Sequence, residues 1–310
     1  MTELGMGADL LRLVGTIFWI LVAAALLLAV LVPQGRKKKA LAIAGVLGLF
    51  AAFPGRWAWH DYQAERAYRA RLSEANARFA ERCKTAGEKI YKTVEGVEGV
   101  MLLKLRPTDY SPYKQDAVDP YGEDFDWKNT DVYVGTFLWG RDAKGILVEK
   151  TPAEKPGYRY AEAIDPKDGK RYRYTASMKV VGQKDANAPN IMSELQRNPN
   201  FDLNNYAFTL DKTLATGPQP RYGVTYDDIT TPEERALWIA GSSLKVIDTE
   251  TNEVVAERIG YMIDRGLGNK GGGRQPWTYA QTTRDWSCPH TRGAGQTREF
   301  TEKVLKIKEQ

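Results

Sequence analysis

Residues 13–59 read LVGTIFWILVAAALLLAVLV-PQG-RKKK-ALAIAGVLGLFAAF-PGRWAW, and the reading of this stretch decides what is expected of everything after it. Leu13–Val32 is 20 residues without a charge. At about 1.5 Å of rise per residue that is about 30 Å, the thickness of a bilayer's hydrocarbon core. Pro33-Gln34-Gly35 makes a turn, and a second apolar run, Ala40–Phe53, follows a basic cluster. The second run gains length if it continues to Trp59, with Trp57 and Trp59 in an interfacial aromatic belt. The stretch therefore predicts a two-helix transmembrane hairpin. A cleaved signal peptide fits less well, because the run is longer than the usual apolar region and Glu3 and Asp9 precede it.

Orientation follows from Arg36, Lys37, Lys38 and Lys39, four cations in the short connection between the two runs. Carrying them across a bilayer is unfavourable, so they are expected to determine topology by staying cytoplasmic. Residues 60–310 then lie outside, giving a two-span inner-membrane protein with a periplasmic domain and the lipid bilayer as a partner.

The 310 residues carry a net charge of +5, and its placement matters more than its size. Met1–Trp59 holds six of the 44 basic and two of the 39 acidic residues, leaving a nearly balanced 38 and 37 in the remainder. A nucleic-acid partner would need a basic face on the large domain, so none is expected. Two cysteines and two histidines, without a CxxC or an HxxxH, give no zinc ligand set. Neither a metal nor a cofactor is expected.

From Asp61 to Lys92, apolar residues at Tyr68, Leu72, Ala75, Phe79, Cys83, Ala86 and Ile90 step by three or four and form one helical stripe. This predicts a juxtamembrane helix. Docking on its own domain and a homodimer seam both remain open. Strand and turn signals then take over. Gly99–Leu105, Asp131–Trp139, Gly145–Glu149, Tyr158–Ile164, Lys170–Ser177, Asn205–Leu210 and Tyr222–Ile229 read as strands, and 180–201 as a polar loop or short helix. Leu244–Ile247 and Val254–Ile263 form the clearest hairpin. Thr231-Pro232-Glu233-Glu234 starts a short helix, with a capping residue, proline at its first position and acids in its first turn. For the tail, Phe300, Val304 and Ile307 fit a helix, with a last strand as the alternative. The expected class is α+β: a transmembrane hairpin (1–59), a juxtamembrane helix (60–92) and a mainly antiparallel, hairpin-rich soluble domain (93–310). Its core should include Leu102, Leu103, Val132, Val134, Phe137, Phe208, Val246, Ile247, Val255 and Ile259.

Catalytic signatures are missing. Gly266–Arg274 (GLGNKGGGR) has the composition of a phosphate loop but not its GxxxxGK[ST] or GxGxxG spacing. Asp227 and Asp228 offer the one carboxylate pair on which a hydrolase could be built. The acids of residues 116–126 offer a cation or a basic partner a site, though a plain acidic loop explains them as well. His290 is the only histidine beyond His60, and no GxSxG accompanies it. Aromatic residues near loops, Tyr121, Trp127, Trp277 and Trp286, are the candidate contacts for another protein, since Tyr and Trp are enriched at interfaces.

Cys83 lies on the helical stripe and Cys288 in a turn-rich segment, with no competing thiol. In an oxidising compartment this pair is expected to form a disulfide; two free thiols are the alternative. The segments Arg221–Asp228 (RYGVTYDD), Trp238–Asp248 (WIAGSSLKVID) and Glu257–Arg265 (ERIGYMIDR), and Cys288-Pro289 followed by Phe300–Leu305, resemble an uncharacterised group of proteobacterial two-span envelope proteins. The resemblance implies a Gram-negative envelope and transfers no activity. The expected function is a membrane-anchored periplasmic binding or accessory protein, for instance an immunity-type factor that sequesters another protein. The alternatives are a structural subunit of an envelope complex and an envelope hydrolase.

Overall fold

A computed structural model describes residues 3–106, 111–122, 130–148, 151–290 and 296–308, with side chains from Thr16 on except at 50, 51, 53–55 and 58. The chain divides into two compact units, Met1–Arg71 and Leu72–Gln310. The first contains α1 (Glu3–Leu31) and the start of α2 (Arg36–Cys83), a 48-residue helix within which the boundary falls.

The transmembrane hairpin and the two-span inner-membrane placement built on it, with a periplasmic domain, are corrected here. Among the described residues no helix is long and apolar enough to cross a membrane. For the second run the physical reason is length: Ala40–Phe53 spans about 21 Å, short of the about 30 Å required. Nor does Ala40–Phe53 stand alone. α2 continues through Pro54-Gly55 into the charge-rich sequence beyond His60. Arg36–Lys39 form its first turn.

The second unit begins where α2 turns amphipathic. Its elements, in order, are β1 (Gly87–Ile90), β2 (Val94–Val97), β3 (Gly99–Leu102), α3 (Thr130–Leu138), β4 (Gly140–Arg141), β5 (Leu147–Val148), β6 (Tyr160–Ile164), β7 (Arg171–Gln183), α4 (Pro189–Arg197), β8 (Asn204–Leu214), β9 (Tyr222–Asp228), α5 (Pro232–Ala236), β10 (Ile239–Asp248), β11 (Glu253–Ile263), α6 (Pro276–Thr282), β12 (Ser287–Cys288), α7 (Gln296–Val304) and β13 (Leu305–Ile307). A nine-stranded sheet runs β1-β11-β10-β9-β3-β6-β7-β8, with β12 on β11. It is mixed but still mainly antiparallel: β3 pairs parallel with both β6 and β9, and the other pairings are antiparallel. β2 and β13 form a separate parallel pair, and β4 and β5 a small hairpin.

Period-two alternation assigns the faces. Leu244, Val246 and Ala256 meet Val134 and Phe137 of α3 and Phe300 and Val304 of α7 in the main core. Burying one such side chain contributes roughly 1.5–3 kcal/mol. On the opposite face, Ile239, Tyr261 and Ile263 meet Ala75 and Phe79 of α2. The stripe on α2 is thus used by its own domain. Cys83 ends the helix and is bonded to Cys288, with Cα atoms 5.6 Å apart across a separation of 205 residues.

Several expectations change. The helix over 60–92 stops at Cys83, and residues 87–90 become a strand on β11. Residues 131–139 form a helix with its following residue instead of a strand, buried from Tyr133 to Trp139. A helix covered on all sides shows no amphipathic period, so its aromatic and branched residues imitate a strand. Of the expected core, Leu102, Val134, Phe137, Val246 and Val255 are buried, while Val132, Phe208, Ile247 and Ile259 are half-buried. Leu103 is 43% exposed, one residue past the end of β3. The tail is both helix and strand, α7 and then β13.

A candidate binding surface on the β7–β8 hairpin

β7 and β8 are 13 and 11 residues long and pair antiparallel over nearly their whole length. Their register sets Tyr174, Met178 and Val180 opposite Lys212, Phe208 and Tyr206. Side chains paired this way share a face. One face is therefore apolar and aromatic but for Lys212. The other carries Arg171, Arg173, Thr175 and Ser177 opposite Thr213, Asp211 and Thr209. There, Arg173 and Arg171 hold the buried Glu162 of β6 at 2.7 and 3.3 Å, and the Ser177 and Thr209 hydroxyls lie 2.7 Å apart.

Cover for the apolar face runs out along the hairpin. Tyr174 is buried in the main core. Met178 and Phe208 are half-buried. Val180 is 56% exposed, and Val181, inserted where the register shifts, is 64% exposed. A bulge of this kind adds an unpaired residue and sharpens the twist. α4 joins the strands beyond it and buries no residue; its Met192 is exposed. Among the described residues β8 has a strand neighbour on one side only, which makes it an edge of the sheet.

A cavity of about 730 Å³ opens beside the middle of this hairpin, between Met178 and Phe208 on one side and Leu138, Trp139 and Tyr158 on another. Trp139 meets Phe208 edge-on, with centroids 6.1 Å apart. Two glycines make the wall. A methyl group at Gly140 would strike the Ala153 side chain, and one at Gly157 would strike the carbonyl oxygens of Leu138 and Trp139. Only glycine lets these backbones approach so closely.

Beneath the wall, the fully buried Arg298 of α7 donates to the carbonyls of Thr136 and Trp139 at 2.5 and 3.3 Å. A helix leaves its last carbonyls unpaired, and a cation there answers both the hydrogen-bond need and the dipole. Arg298 also donates to Glu302, which accepts from Arg141 of β4 at 2.5 Å. The Tyr158 hydroxyl donates to the Leu305 carbonyl at 2.6 Å, and burial pushes its pKa up. At the mouth, Lys308 pairs with Glu98 at 2.6 Å, and that hydrogen bond holds the carboxyl below its ordinary range. Arg159 is exposed beside them.

The aromatic residues expected to contact a partner lie elsewhere. Tyr121 is buried, donates to the Pro289 carbonyl at 2.9 Å and packs over Gly260. Trp277 is fully buried, donates to the Lys114 carbonyl at 2.7 Å and meets Trp238 at a tilt of 41°, with centroids 5.0 Å apart. Neither presents a surface. Trp286 is half-buried beneath the guanidinium groups of Arg265 and Arg274. Trp127 lies outside the described residues, as do the acids at 123–126.

Asp227 and Asp228 are neighbours on β9 and point to opposite faces of the sheet. Asp227 faces Lys245 and Lys104 at 3.7 and 4.0 Å, whereas Asp228 accepts from Arg235 and from the Asp119 amide. Two carboxylates so placed do not converge on one substrate. Of the remaining acids, Asp119 is buried against Arg106 at 2.9 Å. The amides of Gly266 and Gly268 in the glycine-rich loop donate to Asp264, which also pairs with Arg274. An internal carboxylate already takes the place a phosphate would need. His290 hydrogen-bonds Ser287 at 2.9 Å.

The hairpin face was readable in part. Tyr172, Tyr174, Ala176, Met178 and Val180 alternate with polar residues, but Val180-Val181-Gly182 breaks the alternation where the bulge sits. The chain matches no protein-family model, no curated protein and no solved structure.

Proposed function

We propose that the chain is a binding or accessory protein for another protein, and that the outer half of the β7–β8 hairpin is its contact surface. One observation carries this reading: the apolar face of the hairpin extends past the core that covers its inner end, leaving Val180 exposed, and the bulge residue Val181 and Met192 of α4 near that end are exposed as well. Contiguous exposed apolar surface on a folded domain is a mark of interaction sites. The open edge of β8 adds a main-chain component. An extended segment of the partner pairs with β8 and lays alternate side chains on the apolar face.

The test is photo-crosslinking in cells that make the full chain. A photoreactive residue at Val180 or Tyr206 should trap one defined partner, and the same residue at Asp211, on the polar face of β8, should trap none. Equal adducts from both faces, or no adduct from Val180 and Tyr206, would count against the reading.

A further inference from the structure

The cavity beside the middle of the hairpin has a chemistry of its own. Its volume of about 730 Å³ lies within the range typical of small-molecule sites, roughly 300–1,000 Å³. The inner wall carries Leu138, Trp139, Met178 and Phe208, beside the hydroxyl of Ser177. Trp139 and Tyr158 are buried, Trp139 is fixed against Phe208, and the end of α3 is held by Arg298. Among the described lining residues the charged side chains are one carboxylate, Glu98, and two cations, Lys308 and Arg159, at the mouth. Glu98 is already paired with Lys308, and the Arg159 amide donates to the Glu98 carbonyl at 2.8 Å, placing that residue beside the pair. The mouth therefore has positive charge to spare directly above an apolar pocket.

We infer that this cavity binds a small anionic amphiphile, with an aromatic ring system or a medium-length alkyl chain against Trp139, Phe208 and Met178 and a carboxylate at Arg159 and Lys308. Each half of the ligand meets its complement. Burial of the apolar body supplies the affinity, and a charge-assisted hydrogen bond at the mouth sets the orientation and selects the sign of the head group. The inference does not depend on a partner at the outer half of the hairpin.

Calorimetric titration of the full chain with three ligands that share one tail, decanoate, decanol and decyltrimethylammonium, tests it. Decanoate should bind one to one below its micellar concentration, with decanol about tenfold weaker and the cation weaker still, as expected for one charge-assisted contact. Arg159→Glu should weaken decanoate by about tenfold or more and leave decanol unchanged. Met178→Trp, which fills the cavity, should abolish both. If that variant does not fold, the three-ligand series and R159E decide alone. Equal affinity for the three head groups, decanoate binding that R159E leaves unchanged, or no decanoate binding at all would overturn the inference.

Discussion

Two long antiparallel hairpins, β10–β11 and β7–β8, are built from the same kind of sequence and end in opposite circumstances. In β10–β11, the α3–α7 side covers Leu244 and Val246, and α2 covers Ile239 and Tyr261, so most residues of both strands are buried. In β7–β8 the alternation of rings and aliphatics against charge and hydroxyl is at least as regular, yet only Tyr174 is buried. Strand pattern specifies which side chains share a face. It does not specify whether anything of the same chain covers that face. Where the pattern outlasts the cover, the surplus apolar surface is available to something else.

Substitutions should separate the two hairpins by energy. Phe137→Ala, beneath the covered region, removes a fully buried ring and should cost about 3–5 kcal/mol. Phe208→Ala, at the margin of the cavity, should cost about 1 kcal/mol, because half of that ring's surroundings are already open. Urea unfolding of both variants checks the ranking, and equal losses would erase the distinction.

The covered hairpin is also fastened covalently. Replacing Cys83 and Cys288 by Ala frees the end of α2 from β12 and should lower stability by about 2–5 kcal/mol. Reductant should reproduce the loss in the parent chain and do nothing to the variant. An unchanged urea midpoint would mean that packing of Ala75 and Phe79 holds α2 without the bond.

A smaller effect tests the root of the other hairpin. Lys212 of β8 pairs with Asp165, beside β6, at 2.5 Å, and this hydrogen bond holds the Asp165 carboxyl below the ordinary aspartate value. A depressed folded pKa contributes stability that is present above the unfolded value, near pH 4, and is lost as pH falls through the folded one. Asp165→Asn should therefore unfold with a shallower dependence on pH below about pH 4 than the parent chain. Identical acid profiles would show that the pair contributes nothing.

What the sequence discloses follows the same division. The disulfide was legible because two cysteines admit one pairing and Cys83 sits on the helical stripe. The β10–β11 hairpin and the capped start of α5 were legible because their signals are local: alternation around 249–252, and Thr231 with Glu234. α3 was not, since burial on every side erases its period. The strand β3 was legible within Gly99–Leu105, but its parallel pairing was not, since its partners β6 and β9 lie some 60 and 120 residues away. At the candidate site, local pattern gave the inner strands through Ser177 and lost the outer part at the bulge. The cavity depends on close approaches at Gly140 and Gly157 that no local pattern announces. The aromatics picked out by type, Tyr121 and Trp277, proved to be interior, because residue type reports apolar area and not which side of the surface it lies on.

The central claim is that the outer apolar face of β7–β8 is spare, serving contact and not stability. Thermal unfolding of the full chain carrying Val180→Asp and Val181→Asp tests it most directly. An uncovered face predicts a Tm within about 2 °C of the parent, since surface changes cost about 0.5 kcal/mol or less and a domain of this size shifts by about 2–4 °C per kcal/mol. A fall of about 10 °C or more would place both residues in the core and contradict the account.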